Sequence, residues 1–189
     1  LSQNKYKKKE LLSSTFFNLE KIFSDTDQIA IVACNWCSYA GADLAGLSRL
    51  QFPANARIIR TMCSGRVKDK FVLHAFKLGA PIVLVLGCHF ADCHYIDANR
   101  WTQKRVGKLW DKLEKLGIRP ERLQLEWVSA AEGQKWSKVM KAVEEMRQKV
   151  TKEEVEFTKI VLSEDEKPKA AKPAIEKVEK VAAATPVPA

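Results

Sequence analysis

Three short apolar runs, each closing on cysteine, constrain this chain more than any other feature. Ile29-Ala-Ile-Val-Ala33 runs into Cys34-Asn-Trp-Cys37. Ile58-Ile-Arg-Thr-Met62 runs into Cys63. Ile82-Val-Leu-Val-Leu-Gly87 runs into Cys88, and Cys93 follows in the next loop. The first run is β-branched and apolar without alternation, which suits a strand buried on both faces, as in a parallel sheet. A buried strand delivers its last residues to the carboxyl edge, where open α/β sheets place their functional groups. All five cysteines therefore fall at or just beyond the ends of predicted strands.

From Gln28 onward the pattern alternates strand and helix. Strands are expected over 29–34, 57–62, 82–87 and 122–128, and helices over 42–50, 67–78, 98–116 and 132–150. Gly117 suits the position just past the third helix, and Pro120 blocks its continuation. Four β-α units in succession imply right-handed crossovers and an α/β fold. The expected architecture is an open four-stranded parallel sheet in the flavodoxin-like order 2-1-3-4, with helices on both faces. Strand one then lies between strands two and three, about 4.8 Å from each. That order lines Cys34, Cys63 and Cys88 along one edge, with Cys37 and Cys93 in loops above it.

The flanks differ from this middle. Residues 1–27 read as an N-terminal extension with one short helix, in which Phe16, Leu19, Ile22 and Phe23 share a face. That face suits either the domain's own core or a partner. Residues 28–150 form the α/β domain. Residues 151–189 are a C-terminal extension, in which Val155-Glu-Phe-Thr-Lys-Ile-Val-Leu162 suits an added strand or a segment lying across the surface. From about Ser163 the composition becomes Ala, Lys, Glu, Val and Pro without aromatics, a low-complexity tail. The net charge of +9 resides in the middle, where residues 29–150 hold 20 Lys/Arg and 11 Asp/Glu. In the third predicted helix Val106, Leu109, Leu113 and Leu116 should face the sheet. Lys104, Lys108, Lys112 and Lys115 then share another face, which suits an acidic partner.

At 189 residues and 46% hydrophobic, the chain has enough apolar mass for a real core. No apolar run is long enough to span a membrane, so no membrane partner is expected. No secretory pattern opens the sequence, which begins at Leu1 rather than Met. Five cysteines is an odd number and argues against a complete disulfide framework. Clustered thiols without a secretion signal point to metal or redox chemistry in a reducing cytoplasm.

Four chemistries remain open for the thiols. A Cys-x-x-Cys pair after a strand suits dithiol redox work, but that leaves three thiols unused. Zinc sites use two matched pairs in small knuckles, whereas here the second pair is Cys-x4-Cys and a large core is already present. An iron–sulfur cluster needs four thiolates converging from separate loops, which this chain supplies with one to spare. Buried cysteines also serve simply as small hydrophobes. His89 and His94 each follow a cysteine, but with five thiols present they read as supporting donors or surface groups. His74 falls within a helix. Trp36, Tyr39, Phe90 and Tyr95 surround the cysteine loops and suit either a water-excluding shield or ordinary loop packing. Asp92, Asp97 and Glu126 read as turn, cap and surface residues. No glycine-rich phosphate loop, nucleophilic triad or carboxylate pair is evident, so no catalytic site is expected. Nor is a nucleic-acid partner, because basic residues and aromatics do not interleave.

Four motifs carry a family resemblance: Cys34-Asn-Trp-Cys-Ser-Tyr39, Arg57-Ile-Ile-Arg-Thr-Met-Cys-Ser-Gly-Arg66, Gly87-Cys-His-Phe-Ala-Asp-Cys-His-Tyr95 and Leu125-Glu-Trp-Val-Ser-Ala-Ala-Glu-Gly133. In this order they resemble the delta subunit of methyl-viologen-reducing (F420-non-reducing) hydrogenase, over about Gln28 to Val150. The sequence departs from the family at Phe90-Ala91, where a glycine-containing pair is usual, and at Ala98, where glycine is usual. It also lacks a cysteine that many relatives have just before Cys34. The resemblance implies a 2Fe-2S protein without substrate chemistry of its own. Electrons would come from a hydrogenase or formate dehydrogenase module. They would pass to the flavin-bearing, electron-bifurcating subunit of heterodisulfide reductase. The alternative is a zinc-stabilised interaction module. Four of Cys34, Cys37, Cys63, Cys88 and Cys93 are expected to hold the metal. The two spaced pairs are favoured, because loop thiols adjust more freely than a strand-end thiol such as Cys63.

Overall fold

A computed structural model of the chain describes residues 27–165. The helix expected over 13–23 and the tail beyond Asp165 lie outside the described residues. Four strands form one sheet: β1 (Ile29–Cys34), β2 (Ala56–Thr61), β3 (Val83–Gly87) and β4 (Leu123–Trp127). All pairings are parallel, in the order β2-β1-β3-β4. This is the open 2-1-3-4 sheet that the alternating pattern implies. Every residue of β1 and β3 is buried, as their unbroken apolar runs require. The edge strands β2 and β4 are only partly covered.

Among the described residues five helices surround the sheet: α1 (Ser38–Leu47), α2 (Asp69–Lys77), α3 (Ala98–Lys115), α4 (Gly133–Arg147) and α5 (Lys152–Asp165). The period-two alternation of β1 divides the core. Ala30 and Val32 face Val72 and Phe76 of α2, Val106, Leu109 and Leu113 of α3, and Leu162 of α5. Ile29, Ile31 and Ala33 face Ala42 and Ala45 of α1 and Trp136, Met140 and Val143 of α4. Each fully buried Leu, Ile or Phe contributes about 1.5–3 kcal/mol. Gly79 and Gly117 adopt φ +103° and +73° just past α2 and α3. There they turn the chain out of each helix in a conformation that costs glycine little.

Two elements differ from the sequence expectation. Helix α1 starts at Ser38 rather than near Ala42, so Cys37 becomes its N-cap residue. Residues 152–165 form helix α5 and not a strand. The pattern that encodes it is Thr151-Lys-Glu-Glu154, a capping box. The Glu154 carboxylate accepts from Thr151 N at 3.0 Å, and Thr151 Oγ1 accepts from Glu154 N at 3.2 Å. Val155, Thr158 and Leu162 are then buried at helical spacing.

Helix α5 is tied to the amino edge of the sheet by Arg122, which is only 2% exposed. Its guanidinium donates to Pro81 O at 2.7 Å, Ala80 O at 3.3 Å, Glu154 O at 3.3 Å and the Thr158 hydroxyl. It also lies over the Phe76 ring, 5.2 Å from the centroid. Burial pulls its pKa down to about 10, which leaves it charged at neutral pH.

Candidate metal centre

The opposite, carboxyl edge collects the thiols, because successive elements end or begin there. Cys34 is the last residue of β1, Cys37 precedes α1, and Cys88 follows β3. Their Sγ atoms all lie within 4.8 Å of one another, and all three residues are buried. Cys34 Sγ and Cys88 Sγ are 3.8 Å apart. Cys93, half-buried in the loop before α3, packs against this group. No carboxylate or imidazole belongs to the triplet, so its donors are soft sulfur throughout, the set preferred by iron–sulfur clusters and zinc.

Cys63 is buried but stands outside the triplet. Strand β2 ends at Thr61, two residues before Cys63. Cys63 instead caps a 3-10 turn at Ser64–Arg66, where its sulfur accepts from Gly65 N at 3.3 Å. Arg105 of α3 holds the turn by donating to Gly65 O at 3.0 Å and to Val67 O. Thr102 donates to the Ser64 hydroxyl at 3.1 Å.

The thiols share protons unequally. Cys34 is held far below the ordinary thiol range, because Cys37 and Cys88 both direct hydrogen bonds at its sulfur. Those same bonds keep the protons on the donors. Cys37 is pushed up strongly and Cys88 to about 11. Burial raises Cys63. Bringing all three sulfurs of the triplet to thiolate at once therefore requires a neighbouring positive charge, which a bound metal supplies.

Polar groups fix the loops, and of these the sequence singles out only His89. Ser38 Oγ accepts from Cys34 N at 2.9 Å and lies 3.8 Å from Cys37 Sγ. Asn99, 1% exposed in the first turn of α3, donates to Cys88 O at 3.1 Å and His89 O at 2.8 Å. His89 is bound to Glu132 at 2.6 Å. Glu132 also accepts from Ser129 N at 2.7 Å. That backbone donor first, and His89 second, bring Glu132 down to about 2. Ser129-Ala-Ala-Glu132 has the spacing of a capping box, the one sequence signal that marks this carboxylate.

The aromatics divide. Trp36 stacks on His94 at 3.9 Å between centroids, and Tyr95 meets His94 edge-on. Phe90 packs on Trp127. Tyr39 turns away toward Arg60. In the Cys88–Cys93 loop Ala91 takes φ +72°, a conformation that suits glycine, and Ile96 takes φ +66° while 87% exposed. In α3, Val106, Leu109 and Leu113 face the core as expected. Of the lysines on its other face, Lys104 lies over Trp101 and Lys112 pairs with Asp165 at 2.6 Å.

Fold and site together define a class: a parallel α/β domain that presents a buried, all-sulfur donor group at the carboxyl edge of its sheet. Residues 29–180 match the family described as FlpD, methyl-viologen-reducing hydrogenase, delta subunit, and the chain belongs to that family. It is 53% identical over 107 residues to the vhc iron-sulfur subunit of the F420-non-reducing hydrogenase of Methanococcus voltae, covering 57% of this chain and 74% of the relative. It is 46% identical over 112 residues to the iron-sulfur subunit of the F420-non-reducing hydrogenase of Archaeoglobus profundus, covering 59% and 82%. A third relative belongs to the ferredoxin/F(420)H(2)-dependent CoB-CoM heterodisulfide reductase of Methanosarcina acetivorans. The identity to that subunit is 51% over 109 residues, which is 58% of this chain and only 14% of the relative. No helix among the described residues is long and apolar enough to cross a membrane.

Proposed function

We propose that this chain is an electron-transfer subunit carrying one 2Fe-2S cluster, held by Cys34, Cys37, Cys88 and Cys93. The observation that carries this reading is the sulfur triplet within 4.8 Å, with Cys93 packed against it. Two-iron clusters take four cysteine thiolates, so these four residues meet the requirement and Cys63 is the spare. Such a cluster, when bound, accepts and releases single electrons. The chain's own residues supply the rest. Ser38 and Asn99 orient the ligand loops, and Trp36 and His94 form a stacked cover beside Cys93. The names of the hydrogenase and heterodisulfide reductase relatives support a place between those two modules, and the complex so formed would be cytoplasmic. Electrons would enter from a hydrogenase or formate dehydrogenase module and leave to the flavin-bearing heterodisulfide reductase subunit.

Anaerobic purification followed by metal and acid-labile sulfide analysis tests the cluster. Equal iron and sulfide, with an electron paramagnetic resonance signal after reduction, is the expected result. Zinc without sulfide would overturn it and leave the interaction-module reading, because thiols 3.8 Å apart also suit a tetrahedral zinc site.

A further inference from the structure

Each sulfur of the triplet has a hydrogen-bond donor beside it besides its neighbouring thiols. Backbone N–H groups of Trp36 and Ser64 face Cys34, and that of His94 faces Cys88. Beside Cys37 the donor is a side chain, the Ser38 hydroxyl, 3.8 Å from Sγ. Ser38 is 0% exposed in the first turn of α1, and Cys37 is 6% exposed. A hydroxyl buried in this way has to place its single proton on some acceptor. The Ser38 oxygen is fixed, because it accepts from Cys34 N at 2.9 Å. Its proton then has two acceptors within reach. One is Cys34 O, at a long 3.4 Å, and the other is Cys37 Sγ. While Cys37 is a thiol, its S–H points at the serine oxygen and the serine proton goes to the carbonyl. A metal-bound thiolate has no proton to give and accepts about twice as strongly as a neutral group. Rotation about the Cβ–Oγ bond is all that is needed to turn the serine proton to sulfur.

We infer that the Ser38 hydroxyl donates to the Cys37 sulfur when that sulfur is a metal ligand, and so raises the reduction potential of the centre. The inference rests on the 2Fe-2S reading proposed above. Its direction follows from charge. Reduction adds one electron and makes the sulfur ligands more negative, while the hydroxyl keeps its proton. A donor bonded to a ligand sulfur stabilises the more negative state more, so the electron is easier to add. Burial strengthens the effect, because in a low-dielectric site little water competes for the Cys37 sulfur. The amide donors at Cys34 and Cys88 act in the same direction, but the backbone fixes them. Ser38 is the donor that a side-chain change can remove.

The test compares the anaerobically purified full chain with Ser38→Ala and Ser38→Thr. Each is titrated electrochemically, followed by electron paramagnetic resonance, and analysed for iron and sulfide. Ser38→Ala should keep its iron and show a lower midpoint potential. The reduced-to-oxidised ratio at a fixed potential should fall about tenfold, which is about 59 mV for one electron. Ser38→Thr keeps a hydroxyl on the same carbon and should return to the wild-type midpoint. A residue that only packs would not divide the two variants in this way. Electron–nuclear double resonance of the reduced wild type, exchanged into heavy water, should also show a coupled deuteron. That measurement needs no variant and decides the matter if Ser38→Thr takes up no iron. An unchanged midpoint in Ser38→Ala overturns the inference, as does a Ser38→Thr midpoint equal to that of Ser38→Ala. Loss of iron from Ser38→Ala overturns it too, because Ser38 would then be a scaffold residue. So does a wild type without a coupled deuteron. A wild type without iron and sulfide instead overturns the cluster reading, and this inference falls with it.

Discussion

The two edges of the sheet are built from the same strands and do opposite things. At the amino edge Arg122 is buried with its donors spread over Pro81, Ala80, Glu154 and Thr158, and α5 closes over it. At the carboxyl edge four thiols crowd together, Cys34, Cys37 and Cys88 hold their protons unequally, and the loop around them holds two non-glycine residues at positive φ. At the amino edge the partners of Arg122 all lie within the protein. The carboxyl edge gathers sulfur donors that a bound cation would favour as thiolates together. The lesson is that buried polarity stabilises where its partners are internal and marks a binding site where they are not.

The largest expected effect breaks the carboxyl edge alone. Cys88→Ser should lose essentially all bound iron while circular dichroism shows the fold intact, and Cys63→Ser should keep its iron. Equal loss in both would show that Cys63 is a ligand and that the described geometry rearranges on binding. Next comes the amino edge. Arg122→Met removes the Arg122 donor from three backbone carbonyls and the Thr158 hydroxyl, so stability should fall by about 3 kcal/mol in denaturant titration. Iron content should not change; if it does, the two edges are coupled. Thr151→Ala removes the α5 cap and should cost about 1 kcal/mol, again without touching the metal. The smallest effect has the opposite sign. Ile96→Asn relieves a β-branched residue in the left-handed region and buries nothing less, so Tm should rise by the equivalent of about 0.5 kcal/mol. A drop in Tm would mean that the exposed Ile96 side chain has a packing role.

The sheet is legible in the sequence because β1 and β3 are apolar throughout and end on cysteine, which fixes both the strands and the edge that matters. The cysteine group is legible for the same reason. Its membership is less so: Cys63 follows its run as directly as Cys88 does, and only the early end of β2 at Thr61 separates them. Helix α5 is disguised because Val155, Phe157 and Ile160 dominate the apolar pattern, whereas Thr158, a polar residue, is what the core takes in. Arg122 opens a strand in sequence and gives no sign of burial, since its partners are carbonyls supplied by distant turns. Ser38, Asn99 and Glu132 act through backbone groups across the edge, and such bonds leave almost no trace in composition.

Asp27 enters at the amino edge, and Asp165 leaves α5 beside the last turn of α3, which points away from the thiols. Both joints to further polypeptide thus sit on the side opposite the candidate metal centre. A unit wired this way is portable: it tolerates being spliced onto other chains without its working end being covered by the splice. The same stretch appears as a small part of a much longer heterodisulfide reductase subunit and as most of a short hydrogenase subunit, which is how a module with that polarity of attachment is expected to be used.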